Sequence, residues 1–261
     1  MAEVADGAPM RVIEERDGAV LVLTIDYPAR RNALAPALRQ EMLRILDRVE
    51  SDPEIRAIVV TGAGGTFCSG GDLSGMDVRG PLQGRERLRA AHDMIRLMVA
   101  GSTPVIAAVE GWCAGAGMSL ACACDTVVAS VDARFMAAFG KVGLMADLGL
   151  AYTLPLRVGH ARAREILLYG EPITAEEALR IGLVDQLVPA GAVLDAAMAR
   201  ARILAAQAPA AVALTKQMLA EGLDAALNQE RHYQSLLFLT RDHAEGKAAF
   251  FGKRAPTFKG E

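Results

Sequence analysis

The residues best suited to chemistry lie in two glycine-rich segments, at 62–73 and 111–117. Each follows a short apolar run that predicts a buried strand, and each precedes residues that predict a helix. Glycine lets a ligand approach the backbone, and the first N–H groups of a helix have no intrahelical partner. Two such turns could direct N–H groups at one oxygen that becomes negative during a reaction, which is the chemistry of an oxyanion hole.

Other uses of glycine-rich segments fit the sequence less well. Neither segment contains the G-x-x-x-x-G-K-[ST] pattern of a phosphate-binding loop or the G-x-G-x-x-G pattern of a dinucleotide site. Cys68 and Ser69 could be nucleophiles, but no G-x-S-x-G elbow surrounds them. Tight turns without a ligand remain an alternative, which is weaker for two segments of one design than for a single segment.

Asp147 is the carboxyl that the sequence places in apolar surroundings, between Met145 and Leu148. Burial there would disfavour the charged form, raise the pKa of the carboxyl and strengthen it as a base. Asp also caps helices, and a helix is predicted to start near Leu148. Base and cap both remain open from the residues alone.

Short apolar runs alternate with helical patterns through the first half of the chain and then give way to helices. Strands are predicted at 19–25, 57–61, 104–109 and 126–130, and helices at 35–50, around 88–99 and from 117 to about 124. Thr174–Glu177 is a capping box, and the chain from about 190 to 246 is predicted to be helical. This order favours an α/β core followed by a helical C-terminal region.

Composition excludes several classes of protein. The chain has 261 residues, 52% of them hydrophobic, and a net charge of -3, which gives no general attraction for nucleic acid or an anionic membrane. The apolar stretch 103–129 is interrupted by Glu110 and Asp125, so no membrane span is expected. The four cysteines have no C-x-x-C spacing and the N-terminus has no apolar signal core, so a reduced cytoplasmic protein is expected.

Six ordered motifs carry a resemblance to a known family. They are RRNAL (30–34), GAGGTFCSGGDL (62–73), TPVIAAVEGWCAGAGMSLACACD (103–125), DARF (132–135), VGHARAREILLYG (158–170) and AEEALRIGLVDQLV (175–188). Over nearly its whole length the chain resembles the enoyl-CoA hydratase/isomerase, or crotonase, family. The resemblance implies an α/β crotonase-like β-β-α superhelix core at 1–190, which carries the acyl-CoA site. It also implies a helical region at 191–261 for oligomerisation and CoA contact.

The resemblance also assigns roles to individual residues. It implies that the backbone N–H groups of Gly71 and Ala116 form the oxyanion hole, and that Asp147 matches the acid/base of certain family isomerases, including ring-epoxide isomerases of phenylacetyl-CoA breakdown. Arg31 matches a phosphate-binding position for CoA. Phe250 and Lys253 lie in a tail that resembles the CoA-contacting tail of the family, often contributed by a neighbouring subunit.

Two further positions bear on which reaction the resemblance implies. Family hydratases use two glutamates, whose positions here hold Ser119 and Phe139. Neither can act as a carboxylate base, so the resemblance favours an isomerase over a hydratase. The family's aryl-CoA dehalogenases have His, Trp and Asp at the positions of His92, Phe139 and Asp147. His92 and Phe139 are therefore candidate substrate-binding residues, although the apolar helix face that carries His92 better suits a packed core histidine.

The function expected from the sequence is acyl-CoA isomerisation by Asp147 through a thioester enolate. The expected substrate is an acyl-CoA, the assembly a homotrimer or dimer of trimers, and no metal or redox cofactor is implied. A CoA-thioester hydrolase or aryl-CoA dehalogenase is the first alternative. A 2-enoyl-CoA hydratase or a non-catalytic acyl-CoA-binding subunit is the second.

Overall fold

Two sheets organise the computed structural model, which describes residues 9–261. The strands of the described chain are β1 (Arg11–Asp17), β2 (Val20–Asp26), β3 (Ala57–Gly62), β4 (Val105–Val109), β5 (Trp112–Ala114), β6 (Thr126–Ser130), β7 (Arg134–Met136), β8 (Ile173–Thr174) and β9 (Gln186–Val188). Six form a large sheet in the order β1-β2-β3-β4-β6-β9, parallel except for β1, and three form a small sheet in the order β5-β7-β8.

Helices cover both faces of the large sheet and make up most of the C-terminal part. They are α1 (Pro36–Glu50), α2 (Pro81–Ala100), α3 (Ala116–Cys122), α4 (Leu150–Val158), α5 (His160–Tyr169), α6 (Ala175–Arg180), α7 (Val193–Ala205), α8 (Pro209–Leu219), α9 (Leu223–Leu237) and α10 (Arg241–Phe251). Short 3-10 turns lie at Pro28–Arg30, Ala63–Gly65, Leu73–Gly75 and Ala138–Val142.

The central strands are apolar on both faces because both faces are covered. Every residue of β4 is buried, as expected for a parallel strand between two layers. One layer contains α1, α2 and α3, and the other is α7, whose Val193 and Ala197 pack with Val59 and Ile106 of the sheet. The carboxyl ends of β3 and β4 meet at one edge, so the two glycine-rich segments emerge side by side.

Most predicted elements are present, with one difference at the second glycine-rich segment. The segment 111–117 was expected to lead straight into a helix, but Trp112–Ala114 forms β5 before α3 begins. Strands β1, β7, β8 and β9 were not predicted. Half of the predicted capping box is present: the Thr174 hydroxyl accepts the N–H of Glu177 at 3.2 Å, while the Glu177 carboxylate bonds to Arg180 instead of the Thr174 N–H.

The C-terminal helices pack directly on the α/β part. Helix α7 covers the large sheet, while α8 and α9 contact α2 and α10 contacts the turn at 138–142. The division near residue 190 into core and oligomerisation region stays a prediction. Within residues 9–261, no helix is both long and apolar enough to cross a membrane.

Candidate active site

Asn32 connects the segment 30–34 to the first glycine-rich segment through side-chain hydrogen bonds. Its side-chain oxygen accepts the N–H of Tyr27 at 2.9 Å, and its amide donates to the carbonyls of Ala63 at 2.8 Å and Thr66 at 2.6 Å. Asn32 has a φ of 58°, in the left-handed region that Asn tolerates better than most residues. The neighbouring Arg31, with a φ of 50°, is thereby held beside the loop.

The two glycine-rich segments lie against each other and are joined by backbone hydrogen bonds. The Cys68 N–H donates to the Trp112 carbonyl at 3.0 Å, and the Ala114 N–H donates to the Cys68 carbonyl at 2.9 Å. Gly70 and Gly115 have φ values of 122° and 50°, and a Cβ on Gly115 would lie 3.5 Å from the Gly70 Cα. Glycine therefore serves the backbone conformation here, whereas the space would admit a Cβ at ordinary contact distance.

Gly71 and Ala116 both line one cavity of about 360 Å³. Ala116 is the first residue of α3, where a helix leaves its N–H groups without intrahelical partners. Within the described chain, neither the Gly71 N–H nor the Ala116 N–H donates a hydrogen bond to another protein group. The cavity thus receives two backbone donors from two different loops.

Asp147 lines the same cavity, although its side chain is almost completely buried. The residue is 6% exposed, and its Oδ1 atom has no hydrogen-bond partner among the described residues. Helix α4 begins at Leu150 with Gly149 as its N-cap residue, and no side chain caps it. The interpretation of Asp147 as a helix cap is therefore wrong, because its carboxyl makes no hydrogen bond to the start of α4 among the described residues.

The surroundings of Asp147 raise the pKa of its carboxyl to about 7. Burial is the largest cause, and the negative charge of Glu230 adds to it. The positive charges of Arg39 and Arg87 and the amide of Gln234 act in the opposite direction. A carboxyl with such a pKa can both take up and release a proton near neutral pH.

A buried carboxylate from α9 holds the turn that carries Asp147. Glu230 accepts the N–H groups of Leu148 and Gly149, each at 2.8 Å, and its Oε1 lies 2.7 Å from Nε2 of His92. Leu148 has a φ of 54°, which is unusual for a residue with a branched side chain. The hydrogen bonds from Glu230 thus fix a strained turn next to the carboxyl.

The walls of the cavity are mainly apolar, and a second cavity adjoins it. The apolar wall consists of Leu73, Met76, Met136, Phe139, Val142 and Leu144. The second cavity, of about 400 Å³, shares Gly71 and Phe250 with the first and is lined at its other end by Arg30 and Arg31. An elongated ligand could therefore pass from the arginines, along Gly71, to Asp147.

The enoyl-CoA hydratase/isomerase family model matches residues 15–261 of the chain. The chain belongs to this family. It is 36% identical to 1,2-epoxyphenylacetyl-CoA isomerase of Escherichia coli strain K12 over 258 residues, which cover 96% of this chain and 98% of that protein. It is 41% identical to a probable enoyl-CoA hydratase of Rhodobacter capsulatus over 244 residues, covering 92% and 94% of the two chains.

A solved structure of an enoyl-CoA hydratase from Mycobacterium avium subsp. paratuberculosis K-10 superposes with a TM-score of 0.86. Its sequence is 32% identical, and the superposition covers 95% of this chain and 98% of that one. The fold is therefore the crotonase fold, as predicted. The protein is an enzyme of a family that acts on acyl-CoA substrates, and its relatives include both isomerases and hydratases.

Most of the residues predicted for substrate or CoA contact in this crotonase-family chain lie along the two cavities. Phe139 and Phe250 line the first and Arg31 lines the second. Lys253 is exposed and lines neither cavity, whereas its neighbour Arg254 lines the first. The structure thus brings Phe139, Phe250 and Arg31 to the site but not Lys253.

His92 and Ser119 do not reach the cavities. His92 is fully buried between α2 and α9, so the structure does not support its predicted contact with substrate and agrees with a packed histidine. Ser119 is buried within α3, and its hydroxyl donates to the Gly115 carbonyl at 3.4 Å. The position of one family glutamate therefore holds a short hydroxyl that does not line the cavity.

Three charged residues near Asp147, two of them buried and one half-buried, were not predicted from the sequence. They are Arg39, Arg87 and Glu230. Glu230 had a readable signal, because it lies at i+7 from Leu223 on the apolar stripe of α9. Arg39 had the same signal, because it lies three residues before Met42 and seven before Leu46 on the apolar stripe of α1.

Proposed function

We propose that this protein moves a double bond in an unsaturated acyl-CoA thioester. Asp147 carries the proton, and the N–H groups of Gly71 and Ala116 stabilise the oxygen of the thioester enolate. Residues that line the second cavity, Arg31 among them, hold the CoA portion. No metal or redox cofactor takes part. The substrate itself supplies coenzyme A.

The observation that carries this proposal is the meeting of one carboxyl with two free N–H donors in a single apolar cavity. Asp147 is the only carboxyl among the described residues that line that cavity. Because the pKa of this carboxyl is near 7, its carboxylate and carboxylic acid forms are both populated near neutral pH. A protein that only binds acyl-CoA has no need of a buried carboxyl without a partner, since such a group is costly.

The reaction needs only these groups and conserves every atom. The Asp147 carboxylate removes a proton from the α-carbon of a 3-enoyl-CoA, and the electron pair of that C–H bond forms the enolate. Gly71 and Ala116 donate hydrogen bonds to the enolate oxygen, where charge develops. Asp147 then returns the proton to the γ-carbon, which leaves the double bond between the α- and β-carbons as the thioester carbonyl re-forms.

The rival reactions have less support from the cavity. Syn-hydration by two glutamates has neither carboxyl, because Ser119 and Phe139 occupy their positions. A dehalogenase with His92 as the activator of water would need that imidazole at the substrate. His92 is instead enclosed by protein and paired with Glu230.

Arg31 is proposed to contact the phosphates of CoA. It lies at the outer end of the second cavity, where a guanidinium can form two parallel hydrogen bonds with a phosphate. Phe250 separates the two cavities and could pack on the pantetheine portion between them. Lys253 remains a proposed CoA contact only from the resemblance, through a neighbouring subunit.

The proposal is tested with Asp147→Asn, which keeps the shape of the side chain and removes its basicity. Isomerisation of a 3-enoyl-CoA should fall by at least ~10², the low end of what a positioned acid or base contributes. Exchange of the α-proton for deuterium should fall equally. In the parent, kcat/KM should rise with pH through about 7, because only the carboxylate form can accept the proton.

Asp132→Asn is the matched control, since it changes an exposed aspartate to the same amide. It should isomerise and exchange like the parent. An Asp147→Asn protein with parental exchange and turnover would show that Asp147 is not the base. Hydration of crotonyl-CoA with a kcat on the order of 10³ s⁻¹ would instead favour a hydratase.

Isomerisation of an aromatic ring epoxide is a second candidate, and it uses the same site. The relative from Escherichia coli that is named 1,2-epoxyphenylacetyl-CoA isomerase matches 96% of this chain. The apolar wall would also accept an aryl group. Mass spectrometry of a panel of aliphatic and aromatic acyl-CoA thioesters separates the two substrate classes.

A further inference from the structure

Glu230 is buried behind the proposed base and has three hydrogen-bond partners. It is 3% exposed and comes from α9, more than 80 residues after the turn that it contacts. Its two oxygens accept the N–H groups of Leu148 and Gly149 separately, so both atoms of the carboxylate are used in the turn. Such charge-assisted bonds are roughly twice as strong as bonds between neutral groups.

The turn needs this support because of its backbone conformation. Leu148 adopts a φ of 54°, and the left-handed region costs a residue with a Cβ about 1–2 kcal/mol. No side chain caps α4, so its start provides no alternative anchor for Asp147. Without Glu230 the turn would lose two bonds and could relax, which would move the neighbouring carboxyl.

His92 supplies the third partner, and its side chain makes no other hydrogen bond among the described residues. Its Nε2 lies 2.7 Å from the Glu230 carboxylate, while Nδ1 has no partner among the described residues. Because a carboxylate only accepts hydrogen bonds, the proton of a neutral imidazole lies on Nε2. His92 therefore acts on the turn through Glu230.

We propose that Glu230 and His92 form a positioning pair for Asp147, which fixes the turn at 147–149 and places a constant negative charge behind its carboxyl. The inference rests on the proposed role of Asp147 as the base. It assigns a function to a carboxylate that touches no part of the substrate cavity.

The charges around Asp147 determine what removal of Glu230 would do. Arg39 faces it from α1, Arg87 from α2 and Glu230 from α9. Both arginines also bond to backbone, Arg39 to the Leu34 carbonyl at 2.9 Å and Arg87 to the Gly75 carbonyl at 2.8 Å. If Glu230 loses its charge the two cations remain, so the pKa of Asp147 should fall.

Glu230→Gln tests both roles at once. The amide nitrogen of the new glutamine must face a backbone N–H or the His92 N–H, so one hydrogen bond is replaced by a repulsion. Because the turn that carries Asp147 is then less well fixed, kcat should drop by at least ~10-fold. The midpoint of the kcat/KM rise should move to lower pH. A residue that served stability alone would lower the melting temperature and leave that midpoint unchanged, which would overturn the proposal.

A second pair of variants covers the case in which Glu230→Gln does not fold. His92→Gln keeps a side-chain N–H toward Glu230 and should retain most of the parental kcat, whereas His92→Leu removes the donor and should lower kcat. Equal activity in both would overturn the role of His92. Asp224→Asn, which removes an exposed carboxylate from the same helix, is the control and should match the parent.

A measurement without turnover separates this inference from the proposed function. The carboxyl band of Asp147 is obtained by infrared difference between the parent and Asp147→Asn, and its titration is followed in the Glu230→Gln background. A downward shift supports the positioning pair even if Asp147 proves not to be the base. The opposite result has two parts: turnover is lost in Asp147→Asn, while Glu230→Gln keeps the parental kcat and an unshifted carboxyl band. That result would refute the positioning pair and leave the proposed function intact.

Discussion

At the scale of single residues, the site combines groups that respond differently to substitution. The proposed oxyanion donors are backbone N–H groups at 71 and 116, which do not depend on the side chain. Asp147 is the opposite case, because its chemistry follows from the side chain and from what buries it. Ala116 can therefore occupy a position where the family often has Gly.

The donor at residue 116 is removed by Ala116→Pro. Proline is well tolerated at the first position of a helix, so α3 should still form while its first N–H is lost. We expect kcat for isomerisation to fall by about 10²–10³, the usual cost of one oxyanion donor. Steady-state kinetics and circular dichroism measure the two effects.

Ala116→Gly is the control, since it removes the methyl group and keeps the N–H. It should retain most of the activity. A folded Ala116→Pro enzyme with parental kcat would exclude Ala116 from the oxyanion hole.

The sequence predicted the parts of the site that lie within one segment. Asp147 is recognisable because its own neighbours are apolar, and the glycine-rich segments mark the two turns, whereas the choice of Gly71 within its segment came from the resemblance to the family. Glu230 contacts the turn from a helix that is distant in sequence, and local patterns carry no information on which elements meet. Lys253 was chosen over Arg254 from a tail whose path the residues alone do not specify.

At the scale of elements, the close approach of the two glycine-rich segments continues into α3. A Cβ on Gly117 would lie 2.5 Å from the Cys68 carbonyl oxygen and 2.7 Å from the Cys68 Cβ. Helix α3 can therefore lie against the first segment only because residue 117 is glycine. This contact sets the distance between the loop that carries Gly71 and the helix that begins at Ala116.

Gly117→Ala should consequently destabilise the protein, although alanine favours helices in general. Overpacking of this kind typically costs about 1–3 kcal/mol of the free energy of unfolding. Isomerase activity should also fall, because α3 must move away from the first segment. Urea unfolding and turnover check both expectations.

Gly75→Ala is the control, since a Cβ there would meet no atom within 4 Å. Its unfolding midpoint should stay near that of the parent. A Gly117→Ala protein as stable as this control would show that the two segments do not pack as described.

The strands that the sequence predicted are those buried on both sides. Residues 57–62 and 126–130 read as continuous apolar runs because helices cover both faces of the sheet. Strand β1 is mostly exposed and rich in charge. Strands β5, β7, β8 and β9 have two or three residues each, which is too few to show an alternation of apolar and polar residues.

At the scale of the whole molecule, part of the surface is unusually apolar. Leu214, Met218 and Leu219 lie exposed on α8, and Met218 is 81% exposed. Contiguous apolar surface of this kind usually marks a contact with another protein. It is consistent with the predicted assembly of identical chains.

Light scattering coupled to size exclusion should therefore give three or six times the chain mass of 27.6 kDa. Dilution over a wide concentration range should not change that mass, if the interface is a stable one. A mass equal to one chain at every concentration, together with full activity, would contradict the trimer or dimer of trimers.

The walls of the substrate cavity come from parts of the chain that a ribosome makes at very different times. Residues 69–147 include the proposed donors, the proposed base and most of the apolar wall, while Ala249, Phe250, Arg254 and Pro256 line the cavity from the end of the chain. During synthesis the large sheet can assemble before that last wall leaves the exit tunnel. A nascent chain would thus carry the proposed catalytic groups in an open cleft, and the cavity would gain its last wall only after residues 249–256 have left the exit tunnel.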